Sequence, residues 1–154
     1  MSRSALPITE LTKRSRGSTV VLVTGYRGWD DKAAIARALT DVERAAHKRE
    51  PGARMCLAHG GCNGADQIAA TIARNKRWRV LTFHADFKGP DGPRSGPLRN
   101  QFMIDATRPH YALVFLHPDS KGTRDCLRRL EAYRDNAKLS RLVEPIRVFE
   151  AQTK

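Results

Sequence analysis

Residues 54–73 read RMCLAHGGCNGADQIAATIA: a short apolar run, a loop with three glycines, and the start of a helical pattern. Glycine permits backbone conformations that are closed to other residues and lets a ligand approach the main chain closely. A helix that begins directly after such a loop turns unpaired N–H groups and the positive end of its dipole toward the ligand. The segment therefore predicts a strand, an anion-binding turn and a helix in succession.

The same alternation of strand and helix patterns continues on both sides of this segment. Strands are predicted at residues 18–24, 54–58, 78–83, 111–116 and 146–149. Helices are predicted from Asp30 or Asp31 to a break at residues 51–52, and at residues 64–76, 97–107 and 122–137. In the third helix, Leu98, Phe102 and Ala106 are expected to face the core. The alternation predicts an α/β, Rossmann-like open parallel sheet of about five strands, in the order 3-2-1-4-5, with helices on both faces.

Two regions are expected along the 154 residues. Residues 1–17 are polar, contain Ser and Arg and lack a hydrophobic period, which predicts a flexible basic N-terminal arm. Residues 18–150 are predicted to form a single Rossmann domain. The three cysteines are odd in number and irregularly spaced, which argues against a disulfide framework.

The chain is strongly basic, with 28 Lys and Arg against 16 Asp and Glu and a net charge of +12. Such a charge attracts polyanions, nucleic acid first, but the excess is scattered along the sequence. Both a solvated basic surface and a nucleic-acid face remain open, and we expect weak, non-specific nucleic-acid binding. No apolar run reaches the ~20 residues of a membrane span, and no secretory signal is seen, so no membrane partner and a cytoplasmic location are expected. A homo-oligomer is left open.

Clusters of glycine and polar residues follow four of the predicted strands. They occupy residues 25–31, 58–66, 96–100 and 117–125. Because the carboxyl ends of parallel strands meet at one edge of a sheet, ligands bind there at the point where the strand order reverses. The four clusters therefore predict a binding cleft between the first and fourth strands.

Several residues of these clusters also have an ordinary structural explanation. Asp31 and Ser120 can each cap a helix, and Asn63 with Asp66 resembles a capping box. Capping does not need an arginine, so Arg27 and Arg99, each beside a glycine turn, favour phosphate binding.

Metal and thiol chemistry were weighed as less favoured alternatives. His59 and Cys62 suggest a metal site, with partners among Cys56, His84 and His117. The paired spacing of a zinc site is absent, however, and no metal is expected. Cys62 as a nucleophile lacks an obvious His and Asp partner.

The four clusters together resemble a known family. The motifs are Gly25-x-Arg27-x-x-x-Asp31, His59-Gly60-Gly61-x-x-Gly64-Ala65-Asp66, Gly96-Pro97-x-Arg99-Asn100-x-x-Met103 and Ser120-x-Gly122-Thr123. In order and spacing they resemble the YspA/YpsA-related family of the SLOG superfamily, over roughly residues 19–149. That superfamily also includes the LOG-type phosphoribohydrolases and the DNA-processing protein A domain.

The resemblance implies a Rossmann-like fold that binds a nucleotide or a nucleotide-derived molecule related to NAD or ADP-ribose. The implied ligand-binding residues are Gly25, Arg27, Asp31, Gly60, Gly61, Gly64, Asp66, Arg99, Asn100, Ser120, Gly122 and Thr123. The resemblance places a phosphate on the turn at residues 120–123, Arg99 beside that phosphate, and the loop at residues 60–66 against a ribose.

The chain departs from the LOG-type hydrolases at one chemically important position. Those enzymes carry a glutamate shortly after their Gly-Thr pair, whereas here Cys126 stands third after Thr123. The candidate carboxylates in its place are Asp31, Asp66 and Asp125. We therefore expect a sensor or sequestering domain that needs no cofactor. The alternatives are an N-glycosidase acting on nucleoside 5′-monophosphates and a nucleic-acid binder resembling the DNA-processing protein.

Overall fold

A five-stranded parallel sheet forms the centre of the molecule in the computed structural model, which describes residue 13 and residues 15–151. The strands are β1 (Thr19–Gly25), β2 (Met55–His59), β3 (Arg79–Thr82), β4 (Tyr111–Leu116) and β5 (Arg147–Glu150). The helices are α1 (Lys32–Arg49), α2 (Ala65–Asn75), α3 (Ser95–Thr107) and α4 (Lys121–Asp135), and a short 3-10 turn (Gly92–Arg94) precedes α3.

The strands follow the order β3-β2-β1-β4-β5, and each neighbouring pair is parallel. The predicted α/β Rossmann-like fold and the order 3-2-1-4-5 are confirmed. The order reverses between β1 and β4, where Gly25 pairs with Phe115 at the carboxyl ends of the two strands.

Strand β1 contacts two separate cores because its side chains alternate between the two faces of the sheet. Val21 and Val23 belong to the core covered by α1 and α2. Val20 and Leu22 belong to the core covered by α3 and α4. All four side chains are fully buried, which explains why the sequence of this strand is apolar without alternation.

Helix α3 differs from its predicted orientation. Leu98 and Phe102 were expected to face the core, but each is 46% exposed, whereas Met103 and Ile104 are buried. Ala106 is buried as expected. Apolar residues lie on nearly every side of this helix, so periodicity alone selects the wrong face.

The domain boundaries proposed from the sequence remain a prediction. The predicted flexible arm covers residues 1–17, of which residues 1–12 and 14 lie outside the described part of the chain. Within the described residues, no helix combines the length and the apolar character needed to cross a membrane.

Candidate ligand-binding site

A cavity of about 420 Å³ opens at the carboxyl edge of the sheet, between β1 and β4, where the strand order reverses. Residues from all four sequence clusters line it. The predicted site residues among them are Gly25, Arg27, Gly60, Asp66, Arg99, Asn100, Ser120, Gly122, Thr123 and Asp125. Its volume lies within the range of small-molecule sites in proteins.

The loop after β2 (residues 60–64) is held by the side chain of Asp66 in the first turn of α2. Oδ2 of Asp66 accepts hydrogen bonds from the Gly60 N–H at 2.9 Å and from the Cys62 N–H at 3.4 Å. The expected capping box is not formed, because the N-cap of α2 is Gly64, which has no side-chain capping bond. Asp66 thus organises the glycine loop.

Asp66 is 4% exposed, and its Oδ1 is a buried side-chain atom without a hydrogen-bond partner in the described part of the chain. Burial raises the pKa of this carboxyl group to about 6, although the hydrogen bonds from Gly60 and Cys62 act in the opposite direction. An unpaired buried oxygen is costly. Asp66 also lines the cavity, so its carboxyl group lies beside any molecule bound there.

His59 also holds the loop after β2 in place. Its Nδ1 accepts a hydrogen bond from the Gly61 N–H at 3.0 Å, and its Nε2 lies 2.9 Å from Oγ1 of Thr82. Burial lowers the pKa of His59 to about 4, so the ring is neutral and both nitrogens have partners. A structural role therefore accounts for this histidine. No group of three or more His, Cys, Asp or Glu side chains among the described residues is placed to hold a metal ion.

The turn before α4 leaves the helix N-terminus open toward the cavity. Oγ of Ser120 donates to the His117 carbonyl at 2.6 Å and accepts from the His117 N–H at 3.0 Å, so it makes no capping bond to α4. A Cβ atom placed on Gly122 would meet nothing within 4 Å. The first-turn amides of a helix have no partner within the helix. Gly122 and Thr123 therefore present N–H groups beside free space.

Gly25 and Gly64 are required for packing instead. A Cβ on Gly25 would lie 2.5 Å from the Cβ of Ala65 and 2.9 Å from that of Phe115. Gly64 has a φ of +74°, and a Cβ there would collide with the carbonyl group of Arg27. The absence of a side chain at Gly25 and Gly64 lets the loop after β1 pack closely against the start of α2, beside the cavity.

The two predicted phosphate-binding arginines have different surroundings. Arg99 donates from Nη1 to the carbonyls of Gly60 at 2.6 Å and Phe83 at 3.2 Å, and from Nε to Oδ1 of Asn100 at 2.9 Å. Arg27 is exposed at the rim, and no hydrogen bond or ion pair to its guanidinium is found within residues 15–151. Arg99 is thus largely engaged by the protein, and Arg27 is available to a ligand.

Asn100 and Asp125 form a polar link between α3 and α4. Nδ2 of Asn100 donates to Oδ2 of Asp125 at 3.1 Å and to the Gly122 carbonyl at 3.3 Å. Arg128 and Arg129 form ion pairs with the same carboxylate at 3.2 and 2.8 Å. Burial alone would raise the pKa of Asp125, but these hydrogen bonds and charges hold it below its ordinary value. Asp125 is therefore an ionised, fully engaged group.

Three predicted residues do not line this cavity. Asp31 caps α1, with Oδ1 accepting from the Ala34 N–H at 3.0 Å, and lines a separate cavity of about 630 Å³ beside Trp29. Gly61 lines a smaller adjoining cavity of about 210 Å³. Gly64 has the packing role described above.

Sequence reasoning missed the apolar wall of the cavity. Three apolar residues line the cavity: Phe87 and Pro93 in the loop before α3, and Pro97 in the first turn of α3. Lys121 lines the opposite rim. The unusual length of the Gly/Pro-rich loop at residues 88–96 was the available signal, because long loops in compact domains often carry function.

Comparisons with known proteins show which family and which relative this chain is similar to. The model of the YspA, cpYpsA-related SLOG family matches residues 19–89, which include the loops after β1 and β2. The Gene 61 protein of Mycobacterium phage D29 is 33% identical over 115 residues, which cover 72% of this chain and 87% of that protein. No solved structure matches the chain significantly.

Proposed function

Because the chain belongs to the YspA, cpYpsA-related SLOG family, we propose that it binds a nucleotide or nucleotide-derived small molecule as a sensor or sequestering domain. Membership of this family is consistent with a nucleotide-related function. The proposed ligand class is a nucleoside phosphate or a compound related to ADP-ribose or NAD. One observation carries the proposal: Gly122, in the first turn of α4, and the buried Asp66, whose Oδ1 has no hydrogen-bond partner among the described residues, line the same cavity.

The first turn of α4 is the proposed phosphate site. Helix N-terminal amides and the positive end of the helix dipole favour an anion, and Gly122 leaves room for it. Arg27 and Lys121 line the same cavity and add positive charge at its rim. Charge-assisted hydrogen bonds from such groups are about twice as strong as neutral ones.

The glycine loop and Asp66 form the proposed sugar site. A carboxylate oxygen accepts hydrogen bonds, so Oδ1 of Asp66 matches a ligand hydroxyl such as those of a ribose. Gly60 and Cys62 of the same loop also line the cavity. The apolar wall of Phe87, Pro93 and Pro97 is then the surface for the least polar part of the ligand, the base.

An N-glycosidase acting on nucleoside 5′-monophosphates is the second candidate, and the state of Asp66 favours it. Asp125 is held by two arginines and Asn100, and Asp31 caps a helix outside the cavity. Asp66 lines the cavity, and burial raises its pKa to about 6, which suits proton transfer at neutral pH. Its carboxylate would take a proton from the water that attacks the anomeric carbon, while the N-glycosidic bond breaks and the base leaves with the bonding electrons and takes up a proton from solvent.

The binding proposal is tested by identifying what the purified protein carries. Mass spectrometry of small molecules released by heat denaturation is expected to find a nucleotide-class compound. Calorimetric titration with that compound, ADP-ribose and AMP then measures affinity for the parent, for Gly122→Asp and for Ala33→Asp. Ala33 is exposed in the first turn of α1, so it receives the same charge at the equivalent helix position outside the cavity.

We expect Gly122→Asp to abolish binding, because it adds bulk and negative charge where the phosphate would lie, and Ala33→Asp to bind like the parent. Thermal melts establish that both variants are folded. A folded Gly122→Asp protein with unchanged affinity would remove the phosphate site from the proposal.

A further inference from the structure

A second groove lies at the opposite end of the sheet, where β1, β2 and β3 begin. Its volume is about 440 Å³, and five cationic side chains line it: Arg16, Arg54, Lys76, Arg77 and Arg79. None of these residues lines the ligand cavity at the carboxyl edge. The two sites are separated by the length of the strands, so this basic groove is independent of the proposed nucleotide function.

The positive charge of the basic groove is not cancelled within its lining. Of the described residues that line it, Glu43 alone is acidic. Oε1 of Glu43 lies 3.2 Å from Nζ of Lys76, and its Oε2 accepts from Nε1 of Trp78 at 2.7 Å. Burial alone would raise the pKa of Glu43, but these contacts hold it below its ordinary value. That ion pair is thus internally balanced, and Arg16, Arg54 and Arg77 form no ion pair within the described part of the chain.

Helix ends do not account for these arginines. Helices α1 and α2 end near this groove, and cations in a last helical turn are favoured by the helix dipole. That explanation covers His47, Lys48 and Arg49 of α1 and Arg74 of α2. It does not cover the arginine before β1, the one before β2, or the one within β3.

Arg77 occupies a position where glycine is usual. It follows α2 with a φ of +65°. The Trp78 N–H donates to the Ala73 carbonyl and the Arg77 N–H donates to the Arg74 carbonyl, both at 2.9 Å, which is the pattern of a helix end that glycine normally completes. The chain therefore keeps an arginine at the groove in a backbone conformation that disfavours side chains.

We propose that the basic groove binds the phosphodiester backbone of a nucleic acid without reading its bases. Clustered arginines match the charge and the fork geometry of successive phosphates. The groove offers no platform for base stacking, because Trp78 is 6% exposed and its ring nitrogen is already bonded to Glu43. The described chain enters β1 along this groove through residues 16–18.

The chemistry of the rim favours nucleic acid over an anionic membrane. A protein that lies on a membrane usually inserts large apolar side chains between the lipid head groups. The exposed large apolar residues of the described chain are Phe87, Leu98, Phe102, Leu139 and Val148, and none of them lines the groove. Charge is therefore what this surface offers, which suits a polyanion.

The test compares two full-length double variants that each remove two positive charges. Arg54→Gln with Arg77→Gly removes two of the five cationic side chains of the groove, and the glycine suits the positive φ of its position. The control, Lys32→Gln with Arg124→Gln, changes exposed residues in the first turns of α1 and α4, at the other end of the sheet. Binding to a labelled duplex of about 20 base pairs is followed by fluorescence anisotropy between ~50 and ~200 mM salt.

We expect the groove variant to lose at least about tenfold in affinity at ~50 mM salt, and its log–log salt slope to fall by about 2. The control is expected to stay within about threefold of the parent. Equal losses in both variants would show that only the diffuse charge matters and would overturn the proposal. Tighter binding to phosphatidylserine vesicles than to the duplex would overturn it in favour of a membrane. Thermal melts of both variants establish that they are folded.

Discussion

Nη1 of Arg99 donates a hydrogen bond of 2.6 Å to the main-chain carbonyl of Gly60, which lies 39 residues earlier in the chain. The bond joins α3 to the loop that follows β2, and the same nitrogen also reaches the Phe83 carbonyl. A side chain that the family resemblance assigns to phosphate binding therefore fixes the shape of the glycine loop. Arg27 is the counterpart with a free guanidinium group at the rim.

This difference predicts that Arg99→Ala and Arg27→Ala separate stability from affinity. Removing Arg99 leaves the Gly60 carbonyl without its charged donor, so we expect the free energy of unfolding to fall by about 1–3 kcal/mol. Removing Arg27 should change stability by less than about 0.5 kcal/mol but weaken nucleotide binding roughly ten- to a hundredfold. Urea denaturation and calorimetry measure the two quantities. Equal stability losses in both variants would contradict the assignment.

The glycines of the site should respond differently to alanine. Gly25→Ala brings a methyl group within 2.5 Å of the Ala65 Cβ, so we expect a loss of about 1–3 kcal/mol or more in the free energy of unfolding. Gly122→Ala meets open space in a helix, so stability should be retained or rise by up to about 1 kcal/mol. Its added methyl group should nevertheless weaken nucleotide binding. A Gly122→Ala protein that is less stable than the parent would contradict this prediction.

Asp66 should make the stability of the protein depend on pH. Burial raises the pKa of its carboxyl group from the ordinary 3.8 to about 6, so the folded state holds a proton that the unfolded state has released between these values. The contribution of Asp66 to the free energy of unfolding is therefore fully present below pH ~4. It declines by on the order of 2–3 kcal/mol as the pH rises through ~6.

Asp66→Asn removes the titrating group while keeping a side chain that can accept from the Gly60 N–H. Between pH ~4 and ~6, the free energy of unfolding of the parent should fall relative to that of Asp66→Asn by on the order of 2–3 kcal/mol. Parallel curves for the two proteins over this interval would show that Asp66 does not titrate there.

Catalysis is expected to be slow or absent. The chain lacks the glutamate that follows Gly-Thr in LOG-type hydrolases, and Asp125 is engaged by Arg128 and Arg129. Overnight incubation with nucleoside monophosphates, NAD or ADP-ribose should release little free base by chromatography. Turnover near ~1 per second would favour the N-glycosidase, and its loss in Asp66→Asn would identify the residue responsible.

The fold was predictable because its signals are local and repeated. Apolar runs such as that of β1 identify strands, and the handedness of crossover connections restricts their order. The orientation of α3 was not predictable, because Leu98 and Phe102 are as apolar as the buried Met103 and Ile104. Periodicity distinguishes faces only where the opposite face is polar.

The location of the candidate site was also predictable, since parallel topology brings the four clusters to one edge. The partners of individual side chains were not. The bond from Arg99 to Gly60 depends on tertiary distances, and so do the bonds from Asp66 to the amides of Gly60 and Cys62. A sequence shows which groups can donate or accept, but it does not show which groups are already occupied.

The division of β1 between two cores has a mechanical consequence. The glycine loop leads into α2, which packs on one face of the sheet, and the open turn leads into α4, which packs on the other. A molecule bound to both elements would bridge the two layers that pack on opposite faces of the sheet. Local unfolding of either layer would then require release of the molecule. Binding should therefore slow the exchange of amide hydrogens in α2 and in α4 together.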